Sequence, residues 1–169
     1  MNLNVGSILT RRARRDPEIE AVVDVGSGAR FTYAELDARS DRVSNAFLDL
    51  GLEKGDRLGL LLMNGVEFVE SFFAAAKVGL VNVPLNWRLV ADELEFILSD
   101  SGTQALIYSV EFAETVAELR ARGTTQVRHW IQVGGDAPEG ALEYGAFSSQ
   151  ASEGLRLVDA GDDDLLFIM

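Results

Sequence analysis

The stretch RLGLLLMNGVEFVESFFAAAKVGLVNVP, residues Arg57 to Pro84, sets the architecture of the chain. Its opening run, RLGLLLM, is apolar without alternation, the pattern of a strand buried on both faces. GVEFVESFFAAAKVG then places Val66, Val69, Phe72, Phe73 and Ala76 on one helical stripe, and Gly79 ends it. LVNVP reads as a second, short strand stopped by Pro84. Strand, helix, strand is the unit from which parallel sheets are built.

The pattern continues in both directions. Upstream, TYAELDARSDRVSNAFLDLG carries Thr32 and Glu35 at capping-box spacing. Leu36, Val43, Phe47 and Leu50 share a face, and Gly51 is placed to stop the helix. EKGD turns the chain into the first apolar strand. Earlier still, EAVVDV (Glu20 to Val25), the turn GSGA and RFTY (Arg30 to Tyr33) predict a hairpin, preceded by a short helix in SILTRRARR that Asp16-Pro17 ends. Downstream, ADELEFILSDSG and VEFAETVAELRARG predict helices, with Leu94, Ile97 and Leu98 inward in the first and Ala113, Val116 and Leu119 aligned in the second. ALIYS (Ala105 to Ser109) and VRHWIQV (Val127 to Val133) predict strands. The fold class is therefore α/β, a mostly parallel sheet with helices on both faces. Residues 134–164 change in character, rich in Gly, Ala, Ser, Asp and Glu, and read as an irregular crossing segment with a short helix in ALEYGAF. The final GDDDLLFIM reads as an acidic turn leading into a buried strand.

Composition limits the function. The chain has 169 residues, 47% hydrophobic and 25% charged, enough for one domain with a sizeable core. A net charge of −12 excludes nucleic acid as the main partner, because phosphate contacts need a basic surface. No apolar run approaches the roughly 18 residues that span a bilayer. MNLNVGSILTRRARR has its basic residues after its apolar ones, the reverse of a secretory signal. The absence of cysteine removes thiolate chemistry and disulfides, and fits a cytoplasmic protein.

The individual motifs are mostly structural. GSGARF has Phe31 where a dinucleotide fingerprint needs its third glycine, so it is a hairpin turn. Asp162, Asp163 and Asp164 lack the spaced oxygen ligands of a calcium loop and read as a solvated turn. His129 is the only histidine and has neither a second ligand nor a nucleophile to serve. Arg11, Arg12, Arg14 and Arg15 read as a solvated helix face, not a membrane contact. Arg88 follows a strand end, where open α/β sheets place ligands, and guanidinium suits phosphate. No catalytic residue and no metal ligand emerges.

The order and spacing of FTYAELDARSDRVSNAFLDLGLEKGDRLGLLLMNGVEFVESFFAAAKVGLVNVPLNWRL and ADELEFILSDSG resemble the N-terminal part of adenylate-forming acyl-CoA ligases, from about Val5 to Met169. AAKVGLVNVPLNWRL and DDDLLFIM are most similar to the bacterial medium- and long-chain fatty acyl-CoA ligases. The resemblance implies that residues 1–169 are the N-terminal subdomain of a longer enzyme and end before its phosphate-binding loop. That loop is rich in Thr, Ser and Gly and closes with lysine. It implies a two-step reaction of a carboxylic acid with ATP and then CoA, assisted by Mg2+, whose catalytic residues lie beyond Met169, so that the chain alone is expected to be inactive and to hold no cofactor. The implied partners are the carboxylic acid, with fatty acids as one candidate class, and the rest of the polypeptide, with self-association allowed. In some family members the arginine matching Arg88 contacts the CoA nucleotide phosphates; a helix-end or inter-domain salt bridge is the alternative. Two departures stand out. Val90-Ala91 replaces a common Thr-Pro, which removes a helix cap worth about 1 kcal/mol, and Trp87 replaces a common proline in the loop. Two other readings remain at this level: a free-standing non-catalytic interaction module, using the edge of an unfinished strand, and a small nucleotide-binding protein.

Overall fold

The structure, a computed structural model, describes residues 4–169. Met1–Leu3, which open the stretch weighed as a secretory signal, lie outside the described residues. Helix α1 (Val5–Arg15) begins at Asn4, whose side-chain oxygen accepts the Ser7 N–H at 2.8 Å, and buries Leu9 and Ala13. Strands β1 (Glu20–Val23) and β2 (Arg30–Thr32) form the expected antiparallel hairpin. The first strand stops two residues short of Val25. Asp24 turns the chain by accepting the Ser27 N–H at 2.9 Å, and Gly28 follows at φ +75°.

Helix α2 (Tyr33–Asp49) carries the predicted box: Glu35 N–H donates to Thr32 Oγ1 at 3.3 Å and Thr32 N–H to the Glu35 carboxylate at 2.8 Å. The remaining elements are β3 (Arg57–Leu61), α3 (Val66–Lys77), β4 (Val81–Pro84), α4 (Ala91–Asp100), β5 (Thr103–Ser109), α5 (Ala113–Arg122), β6 (His129–Val133), β7 (Leu142–Glu143) and α6 (Tyr144–Ser149). A single 3-10 turn, Val110–Phe112, precedes α5.

The main sheet is parallel throughout, in the order β4-β3-β5-β6-β7. The chain starts in β3, steps outward to β4, then crosses back to β5 and continues the other way. Alternate strand residues serve opposite faces. Leu58, Leu60, Ala105, Ile107 and Ile131 pack with Phe47, Ala74 and Tyr144 from α2, α3 and α6. Leu61, Leu106, Tyr108 and Trp130 pack with Leu94, Leu98, Val116 and Leu119 from α4 and α5. Both faces are covered, which is why β3 and β5 read as unbroken apolar runs.

Within the segment 134–164, Leu142–Glu143 add β7 as a two-residue fifth strand of the sheet. One expectation changes. The terminal strand is not buried: Leu165–Met169 makes one parallel bridge, Phe167 to Asn82, and Leu165, Phe167 and Met169 are 58%, 41% and 95% exposed. It runs along the outer side of β4, the edge strand of the sheet among the described residues. The capping loss at Val90 is partly offset, because its N–H donates to Glu93 at 3.1 Å.

Candidate functional site

The reversal of strand order between β3 and β5 is the topological switch point, and ligands of open α/β sheets gather outside the carboxyl ends of strands near it. Met63–Gly65 follow β3 at this edge, Val110 follows β5, and Gly134 and Gly135 follow β6. A pocket of about 300 Å³ opens at the same edge, lined by Arg39, Arg42, Glu67, Val133, Glu143 and Tyr144, among others.

Beneath it lies a polar network that the sequence pattern did not reveal. Glu70 is 1% exposed, and its carboxylate receives two N–H groups of Arg39 at 2.6 and 3.2 Å. The Arg39 guanidinium also stacks on Phe31, 4.8 Å from the ring centre. The Tyr144 hydroxyl sits 2.9 Å from Ser71 Oγ. Burial, followed by the nearby Glu70 charge, raises the tyrosine well above its ordinary pKa, so it stays protonated. A second network joins Lys77 to Asp37 and Asp41. A signal for both networks is present in α3: Val66, Glu70, Phe73 and Lys77 fall on one helical face, and charges at core-facing spacing must find partners.

Arg88 lies in the turn that follows β4, also at the carboxyl edge. Asn86 shapes the turn by accepting the Arg88 N–H at 3.1 Å and, through its carbonyl, the Leu89 N–H at 3.1 Å. The guanidinium rests over Trp87, 4.8 Å from the ring centre, so the tryptophan that departs from the family pattern supports it. Among the described residues no carboxylate pairs with Arg88, and its side chain is exposed. The helix-end salt bridge is not formed among the described residues.

The other candidates lie elsewhere. His129 opens β6 at the amino edge, half-buried; burial and the adjacent Arg128 charge lower its pKa and keep it neutral. Asp162–Asp164 form a turn at the amino edge. Asp164 pairs with Lys54 at 2.8 Å and accepts the Gly161 N–H, interactions that hold its pKa below the usual carboxylate range. Among the described residues no cluster of three histidines or carboxylates is placed to hold a metal ion. On α1, Arg12 and Arg15 pair with Asp16, while Arg11 lines a groove of about 470 Å³ beside Ile8 and Leu165. No helix among the described residues is long and apolar enough to cross a membrane.

The chain is 40% identical over 168 residues to the long-chain-fatty-acid–CoA ligase FadD13 of Mycobacterium tuberculosis, covering 98% of this chain and 32% of that protein. It is 43% identical over 120 residues to a feruloyl-CoA synthase of Amycolatopsis, covering 71% and 24%. The chain thus spans about a third, or less, of the length of these curated relatives. The crystal structure of the N-terminal domain of FACL13 from Mycobacterium tuberculosis superposes with a TM-score of 0.89 at 37% identity, over 99% of this chain and 41% of that one. The fold as a whole thus has a close structural counterpart, and the model of AMP-binding enzymes matches residues 9–169: the chain belongs to the AMP-binding enzyme family.

Proposed function

We propose that these residues form the N-terminal subdomain of an ATP-dependent acid–CoA ligase acting on a fatty acid. The observation that carries this is the 40% identity running through 98% of the chain to a ligase of that kind. In such a reaction a carboxylate oxygen attacks the α-phosphorus of ATP and pyrophosphate leaves; the CoA thiol then attacks the acyl carbon and AMP leaves. ATP, CoA and Mg2+ are the groups required. There is no Thr/Ser/Gly-rich loop closing on lysine in the sequence, so residues 1–169 contribute the scaffold and are inactive alone. Arg88 adds a contact of its own, since an exposed, unpaired guanidinium at the carboxyl edge suits a phosphate of CoA.

The test is acid-dependent exchange of pyrophosphate into ATP, measured on the full gene product and on residues 1–169. Exchange with long-chain fatty acids by the former and none by the latter is expected. A full product inert toward fatty and aromatic acids would overturn the ligase reading, and turnover by residues 1–169 would overturn their inactivity.

The exposed edge Leu165–Met169 favours one second reading, a non-catalytic module that binds a partner by strand addition. A native stop after codon 169 together with a monodisperse oligomer in light scattering would support it.

A further inference from the structure

The turn Glu53–Asp56, which carries the KGD stretch, joins α2 to β3 and is tied at several points. Asp56 N–H donates to Glu53 O at 2.9 Å, Glu53 N–H to the Asp56 carboxylate at 3.0 Å, and Gly55 N–H to Gly79 O at 2.8 Å. Lys54 is thereby aimed at the far end of the chain. Its ammonium lies 2.8 Å from Asp164 Oδ2 and donates to Asp159 O at 2.7 Å. The same Asp164 oxygen accepts the Gly161 N–H at 2.7 Å. The lysine stem crosses Gly79, where an added Cβ would meet Lys54 Cγ at 3.0 Å and Ala160 Cβ at 3.3 Å. Asn4 holds the turn from the other side, its Nδ2 donating to Ala160 O at 3.2 Å.

Just beyond this turn the backbone joins the sheet by a single rung: Asn82 N–H donates to Leu166 O and Ile168 N–H to Asn82 O, both at 2.9 Å. One rung does not hold a terminal segment whose side chains are half in water, because such ends fray. Asn82 Nδ2 adds a hydrogen bond to Leu166 O at 3.4 Å, and Asp164 lies two residues before Leu166, so its placement bears on how Leu166 and Ile168 meet Asn82.

We propose that Lys54 is a positioning residue: by clamping the Asp159–Asp164 turn it sets where Leu165–Met169 joins the sheet beside β4, and so the aim of the segment leading to the phosphate-binding loop. The last step rests on the ligase reading; the clamp itself does not. The pair is partly exposed, 43% for Lys54 and 28% for Asp164, so its effect is local.

Amide hydrogen exchange on residues 1–169 at low ionic strength tests the clamp. Lys54→Met is expected to speed exchange at Ile168 and Asn82 about fivefold, the size of one partly exposed ion pair. Ile107 and Ile131 in β5 and β6 stay unchanged and report that the variant is folded. Lys54→Arg keeps the charge and the reach and should stay within about twofold of the parent. Unchanged exchange at Ile168 in Lys54→Met, or an equal rise at Ile107, would overturn the clamp. In the full gene product, Lys54→Met should raise KM for ATP about fivefold while leaving KM for CoA unchanged; an unchanged KM for ATP removes the link to the phosphate loop. If the unmodified full product shows no pyrophosphate exchange, the ligase reading fails while the exchange result on the clamp stands.

Discussion

Lys77 Nζ lies 2.6 Å from Asp37 Oδ1 and 2.5 Å from Asp41 Oδ1, with 1% of the lysine side chain exposed. Thr10 adds a hydrogen bond to the same Asp37 oxygen at 2.8 Å, so one buried ammonium knits α1, α2 and α3 together. Removing it with Lys77→Met leaves two half-sequestered carboxylates facing each other, and the loss is expected to reach about 3 kcal/mol at pH 7. The pH dependence has a definite sign. Burial raises the Asp41 pKa, against the lowering influence of Lys77. A carboxyl raised in the folded state contributes stability below its unfolded value and loses it as pH rises through the folded one. Without Lys77 the pKa rises further. The deficit of Lys77→Met relative to the parent should therefore shrink as pH falls from 7 toward about 4. Urea denaturation at several pH values checks this; a deficit that widens on acidification refutes the account.

Glu70 depends on Arg39 in the same way, with one difference: a third of the Arg39 side chain is in water, 33% against 1% for Glu70. Arg39→Ala strips the carboxylate of its bidentate partner and Phe31 of its stacked cation. Because water reaches the vacated site, the cost is expected near the lower end for buried pairs, about 3 kcal/mol. Glu70→Gln, which removes the charge but keeps hydrogen-bonding capacity, should cost less. Equal losses from the two variants in urea denaturation would mean that packing, not charge, holds this network.

The fold is readable in the sequence where period and breaker residues agree. Thr32 and Glu35 announce α2, Gly51 and Gly79 end helices, and the alternation of β3, α3 and β4 marks the parallel unit. Elements that depend on distant partners are hidden. β7 is two residues long and exists because Leu142 and Glu143 lie beside Ile131 and Gln132, which no local pattern encodes. Arg88 is legible as a candidate because it follows a strand end, where a guanidinium has few other roles. Its support by Trp87 is not, since the loop path is set by Asn86 in three dimensions. Glu70 and Lys77 escape notice when helix faces are scored for apolar residues only.

Gly6 provides a contest between two effects of known size. As a helical position it should gain about 1 kcal/mol from Gly→Ala by propensity. A Cβ there, however, would lie 2.5 Å from the Lys77 backbone N and 2.7 Å from its Cα, and backbone cannot rotate aside. Overpacking of this kind costs about 1–3 kcal/mol and would lift α1 off α3. Gly6→Ala is expected to be destabilising by about 2 kcal/mol in net, with the loss of packing prevailing. Gly51→Ala is the control: φ is +78° but nothing lies within 4 Å, so left-handed strain alone, about 1 kcal/mol, is the cost. Thermal denaturation that ranks the two variants the other way would show that α1 yields easily.

Arg88 should separate stability from function. It is exposed and pairs with no carboxylate among the described residues, so Arg88→Ala is expected to change stability by less than about 0.5 kcal/mol. On the ligase reading proposed above, the same change in the full gene product should raise KM for CoA about tenfold, the value of a charge-assisted contact to phosphate. Pyrophosphate exchange, which needs no CoA, should be untouched. Lysine is not an equivalent replacement at this position: Arg88→Lys keeps the charge but gives up the planar stacking on Trp87 and the two-pronged geometry, so it should recover only part of the loss. The two half-reactions thus report on different chemistry from one substitution. A KM for CoA that stays unchanged in Arg88→Ala would rule out the phosphate contact, and a parallel fall in both half-reactions would mean that the loop after β4 acts on the scaffold instead.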